Sequence, residues 1–123
     1  MTKKIILSPD APAPIGPYSQ AVEVNNTLYV SGQIALAVFE AGGTIEEEAN
    51  QVMLNLQHIL TAAGYSFDQV VKCSIFVKDM NHFAAINEVY GRYFVSNPPA
   101  RETVEVARLP KDVRVEISCI AYK

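Results

Sequence analysis

Residues 44–64 constrain this chain more than any other segment, because they read as one long amphipathic helix. Thr44 stands three residues before Glu47, the spacing of a capping box in which each side chain bonds the other residue's backbone N–H. Glu46 and Glu48 place negative charge near the helix's positive end. Ala49, Val52, Met53, Leu56, Ile59, Leu60 and Ala63 then recur at helical spacing, and Gly64 supplies the stop. A helix with one apolar stripe has to cover something, and the rest of the chain offers a sheet.

Val71, Cys73, Ile75 and Val77 alternate with Lys72, Ser74, Phe76 and Lys78, which predicts a strand with one apolar face. Two more strands are expected over residues 101–107 and 113–121, joined by a turn around Pro110, Lys111 and Asp112. Apolar runs at 21–24 and 28–30 flank Asn25 and Asn26 and predict an early hairpin. A second helix starts near Asp79 or Asn81, carries Phe83, Ile86, Tyr90, Tyr93 and Phe94 along one side, and is expected to end at Asn97-Pro98-Pro99. The first seventeen residues include Pro9, Pro12, Pro14 and Pro17 and read as extended and irregular. The sum is an α+β domain over residues 1–123, a mixed sheet with two helices on one face. The other face mixes Glu116 with Phe76, Ile120 and Tyr122, a surface suited to a subunit interface.

Composition narrows function mainly by exclusion. Half of the 123 residues are apolar and 19% are charged, as in a folded domain. A net charge of −3 argues against nucleic-acid binding. The basic group Arg108, Lys111 and Arg114 is broken by Asp112 and reads as a solvated turn. The N-terminus has too short an apolar run for a signal peptide, and no run reaches membrane-spanning length. Two cysteines without metal-like spacing suit a reducing compartment, so the cytoplasm is expected. His58 and His82 lack ligand partners at metal-binding spacing. Cys73 and Cys119 fall on apolar strand faces, where a thiol acts as a small hydrophobe. The glycines fit neither a phosphate loop nor a dinucleotide fingerprint, although Gly32 can mark a bulge or a close approach to a ligand. Arg101, Glu116 and Tyr18 remain. A carboxylate amid a strand is costly unless exposed, paired or lining a wet cleft. From the residues alone, Arg101 and Glu116 read first as a structural ion pair, with a site as the alternative.

The stretch PARETVEVARLPKDVRVEI at 99–117 resembles the signature of the RidA family, the reactive intermediate/imine deaminases. So do APIGPYSQA at 13–21, VSGQI at 30–34, FVKDM at 76–80 and Asn87 within FAAINEVY at 83–90. The blocks span nearly the whole chain in family order. The resemblance implies a chorismate-mutase-like fold and a homotrimer with clefts between subunits. It implies hydrolysis of 2-aminoacrylate and the tautomeric 2-iminopropanoate or 2-iminobutanoate to a 2-oxo acid and ammonia, with no cofactor and no metal. Its other implied partners are few: no nucleic acid and no membrane. Carried over residue by residue, Arg101 takes the substrate carboxylate and Glu116 the water. Tyr18, Ser31, Gly32, Asn87 and the backbone of Thr103 line the pocket, with Arg101 of one chain meeting Tyr18 or Asn87 of its neighbour.

The chain departs from the family pattern at three places. Residues 35–43 replace a Pro-rich turn, Glu102 stands where a small or apolar residue is common and is expected to add negative charge beside Arg101, and Thr103 replaces a frequent cysteine. A non-catalytic ligand-binding or holdase-like protein on the same trimer is the alternative, since fold does not fix function. RNA cleavage, associated with relatives of the family, is disfavoured by the acidic charge.

Overall fold

The structure, a computed structural model, describes residues 2–123. Its organising layer is a six-stranded sheet in the order β1-β2-β3-β6-β4-β5. The strands are β1 (Lys4–Ile6), β2 (Ala21–Val24), β3 (Thr27–Gln33), β4 (Val70–Val77), β5 (Ala100–Glu105) and β6 (Val115–Tyr122). All neighbours are antiparallel except β4 and β5. That parallel pair needs a crossover, and α3 (Phe83–Gly91) supplies it.

The expected helix is α2 (Ile45–Ala62), and its start is the predicted capping box. Thr44 Oγ1 accepts from Glu47 N at 3.1 Å while Glu47 Oε1 accepts from Thr44 N at 2.8 Å. Gly64 at φ +82° ends it in the left-handed region that glycine enters freely. Val52, Met53, Leu56, Ile59 and Leu60 are buried against β3 and β6. Asn25 and Asn26 take φ values of 49° and 65° between β2 and β3, the geometry that a two-residue hairpin turn demands.

Four local expectations are corrected. Residues 4–6 in the proline-rich start pair as a strand with β2, ahead of the first proline at 9. The segment after Ile34 forms a short third helix, α1 (Leu36–Glu40), beyond the two expected. α3 stops at Gly91, well before the prolines, because glycine is a poor helix residue. Val71 is exposed, since a register shift between Val70 and Lys72 turns it off the core face. In the sheet, β6 lies between β3 and β4, and β5 takes the edge.

Cys73 and Cys119 sit opposite one another on β4 and β6, both buried as core residues. Burial pushes both thiols above their ordinary range, so they are poor nucleophiles. The helix-free face carries Ile5, Tyr29 and Val104, all exposed, with Phe76 and Ile120 half-buried between them.

Candidate active site

Strand register decides which predicted residues can meet. Arg101 and Thr103 pair with Cys73 and Ile75, both core residues, so their side chains lie on the helix-covered side. Glu116 pairs with Phe76 and therefore points to the opposite, open side. The structural Arg101–Glu116 ion pair left open by the sequence cannot form within one chain. The candidate residues instead fall into two groups, one on each side of the sheet.

The first group is cationic. Arg101 Nη1 donates to Asn87 Oδ1 at 2.6 Å. Its guanidinium carbon lies 4.9 Å from the Tyr90 ring centroid and 5.6 Å from that of Phe83. Aromatic faces hold the plane of the fork, and the amide fixes one corner. Among the described residues no carboxylate pairs with Arg101, and the Asn87 bond uses only one of its five N–H donors. Beside it, Thr103 Oγ1 is buried without a partner. A cavity of about 340 Å³ opens alongside Arg101, lined also by Asn87, Tyr90 and Pro99. Asn87 therefore belongs to Arg101's own chain, not to a neighbour's half of a cleft.

The second group surrounds a carboxylate. Glu116 borders a cavity of about 300 Å³ together with Tyr18, Ser31, Gly32, Ile34 and Pro110. Burial holds its carboxyl above the ordinary glutamate value of 4.5. Gly32 lies at the bulge between Val30 and Gln33. A Cβ built there would come within 2.7 Å of Glu116 Cδ, so any larger residue would push this carboxylate from its place. Ser31 is fixed by its hydroxyl, which donates to Ser19 O at 2.6 Å, and by its N–H, which donates to Gln20 O at 2.9 Å. Tyr18 is exposed, its hydroxyl accepting from Ile15 N at 3.3 Å.

The structure corrects two readings of charge near these groups. Glu102 does not crowd Arg101: it lies on the other side of β5, bonded to Ser74 Oγ and 3.0 Å from Lys72 Nζ. Those partners hold its carboxyl below the usual range. Arg114 is no solvated turn residue. Its Nε donates to fully buried Glu48 at 2.6 Å, its N–H to the same carboxylate at 2.8 Å, and its Nη2 to Gly43 O at 2.5 Å. Sequence reasoning missed this clamp, although Glu48 lies one helical turn from Ile45 and Val52 on the buried stripe. Arg108 does behave as expected, exposed and paired with Asp112 at 2.9 Å. Among the described residues no group of three or more His, Cys, Asp or Glu side chains could hold a metal ion. His58 and His82 line neither cavity.

Residues 8–123 match the family model described as Endoribonuclease L-PSP. The chain belongs to that family, of the RidA type. It is 52% identical to a RutC family protein of Synechocystis sp., over 98% of this chain and 97% of that one. It is 50% identical to a protein named 2-iminobutanoate/2-iminopropanoate deaminase from Dermatophagoides farinae, over 96% and 94% of the two chains. The crystal structure of E. coli TdcF with bound serine superposes with a TM-score of 0.91 at 40% identity, covering 98% of each chain. These likenesses run end to end, so the two groups around Arg101 and Glu116 sit in a RidA-type framework. No helix among the described residues is long and apolar enough to cross a membrane.

Proposed function

We propose that this chain is a cofactor-independent deaminase of 2-iminopropanoate and 2-iminobutanoate, working as a single-domain subunit of a cytoplasmic homotrimer. The observation that carries the reading is Arg101, a guanidinium held flat over aromatic rings with no carboxylate of its own. A planar fork of this kind grips a carboxylate through two parallel charge-assisted bonds. Two relatives named as this deaminase, at 50% and 48% identity, support the choice of substrate. Serine bound to TdcF supports an amino-acid-sized ligand.

In this mechanism Arg101 and Asn87 of one chain face Tyr18, Ser31, Gly32 and Glu116 of its neighbour across a shared cleft. The substrate carboxylate sits on Arg101, with the outward backbone of edge strand β5 at Thr103 beside it. Glu116 takes a proton from a water as its oxygen bonds the iminium carbon, which gives a tetrahedral carbinolamine. The protonated carboxyl then returns that proton to the nitrogen; as the C–N bond breaks, the carboxylate takes the hydroxyl proton and passes it to the departing ammonia, which leaves as ammonium and gives a 2-oxo acid. Burial raises this carboxyl, which makes it a stronger base toward the water than an exposed glutamate. Holding the water and the iminium carbon in line supplies much of the acceleration. Cavities of about 300 and 340 Å³ fit a ligand of this size better than an RNA strand.

The test is oxo-acid release from imines generated in situ, measured against the spontaneous rate. Wild-type protein should accelerate release and Glu116→Gln should not, while still binding a stable 2-oxo acid. Equal loss of binding and turnover in that variant would defeat the role given to Glu116.

A further inference from the structure

Residues 8–18 form an irregular strap between β1 and β2, in which Pro9, Pro12, Pro14 and Pro17 have no N–H to donate. The strap ends at Tyr18, which borders the cavity of Glu116 without belonging to any strand. Among the described residues, every hydrogen bond from the strap to the rest of the chain ends on the Gln20 side chain. Its Oε1 accepts from Ser8 N at 2.6 Å. Its Nε2 donates to Pro12 O at 3.0 Å, Ser8 O at 3.2 Å and Ala11 O at 3.5 Å. Gln20 is itself buried, and its backbone O accepts from Ser31 N at 2.9 Å. One residue thus joins the strap to the strand that carries Gly32. The remaining bonds of the strap are internal, such as Asp10 N to Ser8 Oγ at 3.2 Å and Tyr18 N to Gly16 O at 2.9 Å. Ser8 and Ala11 are buried where the amide holds them, whereas Ile15 and Tyr18 beyond are exposed.

We infer that Gln20 is a positioning residue, whose amide seats the strap so that Tyr18 stands against the cavity of Glu116. The inference rests on the imine-deaminase reading and deepens it. A primary amide is the group this seat requires. It accepts through oxygen and donates through nitrogen at the same time, which neither a carboxylate nor a hydrocarbon does. Without it, the buried N–H of Ser8 and the carbonyls of Ser8 and Pro12 would lose their partners, and the strap would leave its seat for water. Glu116 and Ser31 would stay in place, because sheet ladders hold their strands. The loss would therefore fall on Tyr18 and on ligand binding, not on the group that carries the proton.

The experiment compares wild type with Gln20→Met, which keeps the bulk of the side chain and loses the amide. Amide exchange at Ser8 and Asp10 should quicken by about tenfold, well beyond any change in α2. KM for 2-iminopropanoate generated in situ should rise by about tenfold, while the acid limb of kcat/KM stays where it is in wild type. In a Tyr18→Ala background the same substitution should change kcat/KM by less than about twofold, because the residue it positions is gone. Should melting curves show that Gln20→Met does not fold, Gln20→Glu takes its place, since it still accepts from Ser8 N–H but cannot donate to Pro12 O. Unchanged exchange at Ser8 and Asp10 overturns the tether. Faster exchange with an unchanged KM, or equal losses in the two backgrounds, overturns the positioning of Tyr18 and leaves the deaminase reading standing. Turnover of no imine by wild type overturns that reading and the role of Gln20 with it.

Discussion

Arg101 carries its charge without a carboxylate, so its geometry is the property to challenge. Lysine keeps the charge but loses the fork and the stacking over Tyr90 and Phe83. We expect Arg101→Lys to lose on the order of 10- to 100-fold in kcat/KM and Arg101→Ala more, from charge-assisted bonds of about 1.5–3 kcal/mol. A fully active lysine variant would remove the clamp. Glu116 makes a prediction about pH. Its folded pKa is raised above 4.5 by burial, so the native fold prefers the protonated form. That preference stabilises fully below the ordinary glutamate range and is lost as pH rises through the folded value. Glu116→Gln, which mimics the neutral carboxyl, should therefore melt with wild type near pH 4 and above it at pH 7 to 8. In the wild type, the acid limb of kcat/KM should lie above 4.5 for the same reason. Melting curves that coincide at every pH would show that burial does not tax this carboxylate.

Elements differ in how legibly the sequence specifies them. α2 and the Asn25–Asn26 turn were readable because their signals are local: a capping box, a period of 3.6, and residues that tolerate positive φ. α1 is one turn without a capping side chain, so nothing in the sequence marks it. The insertion of β6 between β3 and β4 is a non-local choice that periodicity cannot report. Elimination left Arg101 and Glu116 as candidates and resemblance gave them roles; their separation onto two faces came only with register. The junction between α2 and β6 was invisible because Glu48 looks like a helix-dipole residue and Arg114 like a turn residue. Together they form a largely buried ion pair at 2.6 Å. Glu48→Ala should cost about 3 kcal/mol in urea unfolding, since it strands the arginine and frees a backbone N–H. A loss below about 0.5 kcal/mol would place the pair with surface ion pairs.

At the scale of the whole molecule, Ile5, Tyr29, Phe76, Ile120 and Val104 give the open side of the sheet an apolar character that a lone chain rarely exposes. In the proposed assembly, one chain's Glu116 meets another's Arg101. Mixing inactive Arg101→Ala and Glu116→Gln chains under exchange should leave about a quarter of the clefts with neither lesion, in a random assembly with clefts between neighbours. Arg101→Ala mixed with Asn87→Ala should gain nothing over the Asn87 variant, because both residues lie in one chain's half. No recovery in the first mixture, with exchange shown by mass, would return both residues to one chain.

The sheet that separates Arg101 from Glu116 would, in the proposed assembly, also couple ligand to quaternary structure. In the proposed assembly, any compound that spans the cleft is gripped by two polypeptides at once and acts as an adhesive between them. By linkage, each cleft filled at a hundred times its Kd would add about 2.7 kcal/mol against dissociation. Substrate supply would then hold the particle together, and scarcity would loosen it.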